Sequence, residues 1–167
     1  MAADLIYTTV PTPLGDLTIV ASEAGIVATG FGDGREALVE AERRHEAAAK
    51  RSDRPLAVAR REAASYFEGG LRSFRSAVDL GFAGDGFFRR AYLAAMRVPF
   101  GEMRTYGDVA SDAGSPRAWR AVGHAMAVCP IELWIPCHRV VPAGPGLGTY
   151  GGHPERREFL LRLEGAI

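Results

Sequence analysis

The sequence predicts two small domains: an α/β domain over residues 1–82 and a mostly helical domain over 86–167. Three observations predict this. The first third carries runs of branched apolar residues separated by Pro and Gly. The second half carries apolar residues at helical spacing around a tight glycine turn. Between them, the stretch from Gly81 to Gly86 holds three glycines, which suits a boundary. A chain of 167 residues is long enough for two cores of this size.

The composition is that of an ordinary globular protein, with 47% hydrophobic and 24% charged residues. It excludes a disordered or collagen-like chain. No apolar run is long enough to span a bilayer, so no membrane partner is expected. The start, MAADLIYTT, has no basic segment followed by an apolar one, so no secretory signal is expected and the predicted location is cytoplasmic. Basic and acidic residues balance at 20 each. They divide unevenly: residues 1–85 hold 10 basic and 13 acidic side chains, and residues 86–167 hold 10 and 7. A polyanion would therefore find the second half more favourable. Lys50 is the only lysine, so nearly all the cationic groups are guanidinium, which suits phosphate.

In the first domain, Leu5–Val10, Leu17–Val20 and Gly25–Phe31 read as strands of a β-meander, with Pro13 and Gly15 in the first turn. Helix formers then predict a helix over Arg35–Arg51, and after Pro55 a second over Leu56–Phe67. Weak alternation suggests a strand over Phe74–Leu80. In the second domain, Phe87, Phe88, Ala91, Tyr92, Ala95 and Met96 form a helical stripe over Phe87–Val98. Thr105 and Asp108 form a capping-box pair that opens a helix to Ala113. Gly114 turns the chain, and Ser115 and Pro116 open the next helix, Pro116–Ala127. The pair resembles a helix-turn-helix whose second helix carries Arg117, Arg120 and His124. Two ordinary packed helices with exposed arginines would give the same pattern. Ile131–Ile135 reads as buried, Pro142–Gly152 as a glycine-rich loop around Tyr150, and Pro154 as the start of a last helix with Phe159, Leu160 and Leu163 on its apolar face.

Cys129 and Cys137 are too few for a disulfide framework, and with four His they give no zinc-finger spacing, so no metal is expected. In Pro136-Cys137-His138-Arg139 the chemistry is sharper. A thiolate, rather than a thiol, is the nucleophile, and a histidine oriented by a carboxylate can generate it. Side chains adjacent in sequence often diverge, so a bridging water would relax the geometry. Glu158 and Glu164 are the carboxylates best placed to orient His138. A buried structural cysteine beside a histidine is the plainer alternative.

Five blocks occur in order: Val98-Pro99-Phe100-Gly101-Glu102, Arg104-Thr105-Tyr106, Arg120-Ala121-Val122-Gly123, Ile135-Pro136-Cys137-His138-Arg139-Val140-Val141, and Leu160-Leu161 through Glu164-Gly165. Together they resemble the O6-alkylguanine-DNA alkyltransferases, and Thr12-Pro13-Leu14-Gly15-Asp16-Leu17 is similar to that family's opening hairpin. The resemblance implies a ribonuclease-H-like first domain and a winged-helix-like second one. It implies direct-reversal DNA repair by a monomer that acts once and needs no cofactor. The helix-turn-helix would bind double-stranded DNA in the minor groove, and the damaged base would rotate out of the stack. Cys137 would then take the alkyl group irreversibly from O6-alkylguanine, or from O4-alkylthymine.

Carried over residue by residue, His138 would act as base through a water and Glu164, not Glu158, would polarise it. Tyr106 would donate a proton to the leaving guanine. Arg120 would fill the gap left by the flipped base, with Arg117, Thr105, Tyr106 and Ser115 in the DNA-contacting set. Met126, Trp134, Val140, Tyr150 and Gly151 would line the pocket, with the Val140 and Cys137 carbonyls and the Gly151 amide bonding the base. The chain departs from the family at Cys129, where an Asn usually braces the recognition helix against the active-site segment; a thiol replaces it poorly. Trp134 and Trp119 also stand where smaller residues are common. An alkyltransferase-like protein that binds lesions without transfer is the alternative, and Cys137 itself argues against it.

Overall fold

The computed structural model describes residues 4–167. The chain divides into two compact units, Met1–Phe82 and Ala83–Ile167.

In the first unit, β1 (Leu5–Val10), β2 (Leu17–Ser22) and β3 (Gly25–Phe31) form the antiparallel meander. Turn chemistry sets the first hairpin: Thr12 Oγ1 accepts from the Leu14 amide at 3.1 Å, and Gly15 takes φ 96°, a region that favours glycine. Successive strand residues point to opposite faces, so the consecutive burial of Leu17 to Ala21 means both faces of β2 are covered. On one face, α1 (Arg35–His45) packs Ala41 against Leu5, Val20 and Val27. The second helix, α2 (Ala57–Phe67), buries Ala59, Ala63 and Tyr66.

The expected helix Arg35–Arg51 is cut short. It ends at Glu46, which turns left-handed at φ 52°. Residues Ala49–Arg51 form β4, parallel to β1 with Leu5 opposite Ala49, giving the sheet order β3-β2-β1-β4. Pairing with a sheet edge outweighs local helix propensity here. The expected strand Phe74–Leu80 is reduced to one parallel bridge between Ile26 and Val78. The buried Glu62 of α2 accepts from the backbone amides of Arg75 and Ser76, so those donors serve a carboxylate in place of a ladder.

The second unit holds α3 (Phe87–Met96), β5 (Arg104–Thr105), α4 (Tyr106–Asp112), α5 (Trp119–Ala127), β6 (Val140–Val141) and α6 (Pro154–Leu163). The α4 capping box is present as predicted: the Asp108 amide donates to Thr105 Oγ1 at 3.1 Å, and the Thr105 amide donates to Asp108 Oδ2 at 2.9 Å. Tyr92 on α3 donates its buried hydroxyl to the Ala125 carbonyl of α5 at 2.7 Å, and Arg90 Nε caps the end of α4 at Ala113 O, 3.0 Å away.

One helix start and one helix face differ from expectation. Helix α5 begins at Trp119, three residues after Pro116, with Ala118 as an N-cap that makes no side-chain bond. Ser115 instead accepts from the Ala118 amide through its carbonyl at 2.9 Å, closing a turn that contains Pro116 and Arg117. On α6 the buried face is Arg157, Leu160 and Leu161, followed by buried Glu164; Phe159 and Leu163 are only half-buried. The short parallel pairing of β5 with β6, Arg104 opposite Val140 and Thr105 opposite Val141, fixes the start of α4 beside the Pro-Cys-His-Arg segment.

Because both capping-box bonds close at Thr105, Thr105→Ala should lower the unfolding free energy by about 1 kcal/mol in urea titration. An unchanged midpoint would show that the cap carries no stability.

Candidate functional site: a buried thiol backed by a His-Glu-Arg cluster

Residues Cys137–Arg139 form one 3-10 turn between Pro136 and β6. Pro136 precedes it with no amide to place, and the turn closes with the Arg139 amide donating to the Pro136 carbonyl at 2.9 Å. The turn buries Cys137, His138 and Arg139 together, with Cys137 and His138 at 0% exposure. Burying a histidine and an arginine is costly unless both are paired. Glu164, at the C-terminal end of α6, pairs both. Its Oε2 lies 2.7 Å from His138 Nε2, and Arg139 grips it with two bonds, Nε to Oε1 at 2.8 Å and Nη2 to Oε2 at 3.0 Å. The Gly101 amide donates to Glu164 Oε1 at 3.1 Å. Arg139 Nη1 reaches the Val98 carbonyl at 2.8 Å. One carboxylate therefore ties the ends of α3 and α6 to the active turn.

Electrostatics fix the protonation. Burial works to raise the Glu164 carboxyl, but the bonds from His138 and Arg139 outweigh it and hold the group far below the usual carboxylate range. Burial pushes His138 down from its ordinary 6.5, and the Glu164 bond only partly opposes it. An ionised Glu164 can only accept, so Nε2 carries the imidazole proton. That leaves Nδ1 with its lone pair, and Nδ1 is buried without a protein hydrogen-bond partner among the described residues. A neutral imidazole with a free lone pair is a base.

Around the thiol, Tyr150 Oη lies 3.9 Å from Cys137 Sγ. Burial is the main cause that pushes the Tyr150 hydroxyl well above its ordinary pKa, so it stays a neutral donor. The Arg157 guanidinium stacks 4.7 Å from the centre of the Tyr150 ring, and its Nη1 donates to the Leu147 carbonyl. Arg157 Nη2 also approaches the Cys137 carbonyl at 3.5 Å. Gly151 follows at φ 61°, and a Cβ there would sit 2.9 Å from the Ala127 carbonyl. Only glycine lets this loop approach the end of α5 so closely.

The remaining predicted residues are placed as follows. Met126, Trp134, Val140 and Tyr150 are buried. Tyr106 is the first residue of α4 and lies over Gly123 of α5, where a Cβ would meet the ring at 3.2 Å. Arg120 is exposed on α5 and stacks on the Trp119 ring at 5.0 Å, while Arg117 is exposed in the preceding turn. Ser115 and Thr105 are half-buried at the two ends of the α4 region. Glu158 lies on the opposite side of α6, paired with Arg162 at 2.9 Å on the surface. Arg139 and Arg157 received no role from sequence reasoning. The spacing of Arg157, Leu160, Leu161 and Glu164, at i, i+3, i+4 and i+7, carried the signal: it is one helix face with a charge at each end.

Two family models match. Residues 5–80 match the ribonuclease-like domain of 6-O-methylguanine DNA methyltransferase, and residues 86–166 match its DNA binding domain. The chain belongs to the 6-O-methylguanine DNA methyltransferase family. A methylated-DNA–protein-cysteine methyltransferase from Methanosarcina acetivorans is 33% identical over 97% of this chain and 99% of its own length. The crystal structure of Mycobacterium tuberculosis O6-methylguanine methyltransferase superposes with a TM-score of 0.82 at 33% identity, covering 97% of this chain and 93% of that one. The same bacterium's protein in complex with DNA gives a TM-score of 0.79 at 31% identity, covering 96% and 93%. The likeness spans both units, so the two-domain fold is that of the family.

Two outcomes follow from the cluster. Glu164→Gln keeps the shape but leaves the Arg139 charge without its ion partner; the cost should be about 3–5 kcal/mol by denaturant unfolding. The pH dependence has a definite sign. Both His138 and Glu164 hold protons less readily folded than unfolded, so the unfolded chain takes up more protons on acidification. Stability from this pair should be complete above about pH 6.5 and fall as pH drops through the ordinary His and Glu values. Thermal scans across that range should show Tm falling with acidity in the wild type. A Tm that rises on acidification over this range would contradict the assignment.

Proposed function

We propose that this protein repairs alkylated DNA by moving a methyl or larger alkyl group from guanine O6, and from thymine O4, to Cys137 in one irreversible step. The observation that carries the reading is the 2.7 Å bond from His138 Nε2 to Glu164 in the same buried turn as the Cys137 thiol. Membership of the family and the name of the Methanosarcina relative support the reaction, and the DNA-bound Mycobacterium structure supports the partner.

The steps belong to this chain's own residues. His138 Nδ1 receives the thiol proton, through a water, and Glu164 stabilises the imidazolium that forms. The Cys137 thiolate attacks the alkyl carbon in line with its bond to guanine oxygen. That bond breaks, a thioether forms, and the electron pair leaves with the guanine. Tyr106 donates a proton to the leaving guanine. The target carbon lies inside the DNA stack, so the base must be flipped out first. Arg120, held over Trp119, enters the vacated space, and Arg117, Thr105 and Ser115 contact the backbone. Met126, Trp134, Val140, Tyr150 and Gly151 shape the pocket. No residue regenerates the thiol, so one protein molecule repairs one lesion. No cofactor is required.

The reading also sets the protein in the cytoplasm, where a reducing environment keeps an acceptor thiol usable. Among the described residues, no helix is long and apolar enough to cross a membrane. A lesion-binding protein without transfer would not need the Cys137 thiol or its His-Glu support. Incubation with a duplex carrying one O6-methylguanine, followed by intact-mass measurement and peptide mapping, tests the choice. The transferase gains at most one methyl, on the peptide with Cys137, and Cys137→Ala gains none while still retarding the duplex on a gel. A wild-type protein that binds the duplex with no mass gain would overturn the transfer.

A further inference from the structure

Cys129 has no role in the chemistry above. It is half-buried, and its Sγ donates to the Ile131 carbonyl at 3.6 Å. That same carbonyl accepts from the Ile135 amide at 3.3 Å, and the Ile135 carbonyl accepts from the Cys137 amide at 2.8 Å. Leu133, buried at φ 75°, makes the reversal between them. The nine residues from Cys129 to Cys137 thus fold back on themselves through these bonds, and burial together with the nearby Cys137 thiol pushes the Cys129 thiol up. Cys137 also faces the Tyr150 hydroxyl, 3.9 Å away. The loop between the two cysteines is short and already ordered, so joining its ends costs little further entropy.

We propose that Cys129 and Cys137 form a reversible disulfide under peroxide stress, making Cys129 the resolving thiol that protects the alkyl acceptor. The Cys137 sulfur attacks the peroxide O–O bond, giving a sulfenic acid and releasing hydroxide. The Cys129 sulfur then attacks the Cys137 sulfur and displaces its hydroxyl group, which leaves with the Cys129 proton as water. In total two thiols and one peroxide become one disulfide and two waters. Peroxide is reduced and the sulfurs are oxidised. Without a second thiol, sulfenic acid goes on to sulfinic and sulfonic acids, which thiol reductants do not reverse. For a protein that acts once through one cysteine, that loss is complete. The disulfide pauses it instead, and a dithiol reductant restores both groups. The protection of repair rests on the transfer reading above, whereas the disulfide rests on the fold-back of the Cys129–Cys137 segment.

The test treats the whole protein with hydrogen peroxide, blocks remaining thiols with N-ethylmaleimide in denaturant, and measures intact mass. The expected wild-type product is about 2 Da lighter, takes no maleimide, maps to a Cys129–Cys137 linked peptide, and regains both thiols in dithiothreitol. Cys129→Ser should instead gain about 32 or 48 Da at Cys137, unchanged by dithiothreitol. Transfer from an O6-methylguanine duplex should vanish in oxidised wild type and return on reduction, and should vanish permanently in oxidised Cys129→Ser. A wild-type Cys137 that over-oxidises like the variant, or a disulfide found only between molecules, would overturn the proposal. A linked peptide in a protein that transfers no alkyl group even when reduced would support the disulfide and remove the transfer reading.

Discussion

The Glu164 carboxylate is the constraint on which the second unit depends. It sits at the C-terminal end of α6, where the helix dipole disfavours a negative charge. It is buried, where a charge is costlier still. It stays ionised because His138, Arg139 and the Gly101 amide all donate to it. Those donors come from the active turn and from the segment after α3. Satisfying one charge therefore positions three parts of the chain, and the same bond that neutralises the carboxylate sets the tautomer of His138. Here stability and chemistry rest on a single group.

Arg139 and Arg157 extend this logic on either side of the thiol. Arg139 ties Glu164 to the Val98 carbonyl and stacks 5.8 Å from the Phe100 ring centre. Arg157 braces Tyr150 and the glycine-rich loop that carries it. The two guanidiniums hold the front and back of a site whose reacting atom is fully covered. The β5–β6 pairing then links this site to α4, and Tyr106 over Gly123 links α4 to α5. The α4–α5 helix pair and a buried thiol are thereby joined through short, specific contacts.

Much of this was legible in the sequence. The meander, the α4 capping box and the final helix follow from local chemistry, because turns, caps and helical stripes leave short-range signatures. The Pro136-Cys137-His138-Arg139 motif was also legible, since its residues are consecutive. The failures share a physical cause. Ala49–Arg51 pairs with a strand more than forty residues away, and the Arg75 and Ser76 amides answer to Glu62 on α2. Neither partner is visible locally. Likewise, of the expected α6 face Phe159, Leu160 and Leu163, only Leu160 is fully buried, because a buried arginine shares the core. Arg157 and Glu164 occupy that face because their charges are met by loop carbonyls and by the active turn.

The central claim is that burial keeps His138 neutral and Glu164 holds its proton on Nε2, so that Nδ1 is free to act as base for Cys137. The most direct measurement is the single-turnover rate of methyl transfer from an O6-methylguanine duplex by Glu164→Gln, under conditions where folding is verified by far-ultraviolet circular dichroism. The account predicts a rate reduced at least about tenfold with duplex affinity retained, since an amide stabilises the imidazolium poorly. A folded Glu164→Gln protein that transfers methyl at the wild-type rate would contradict it.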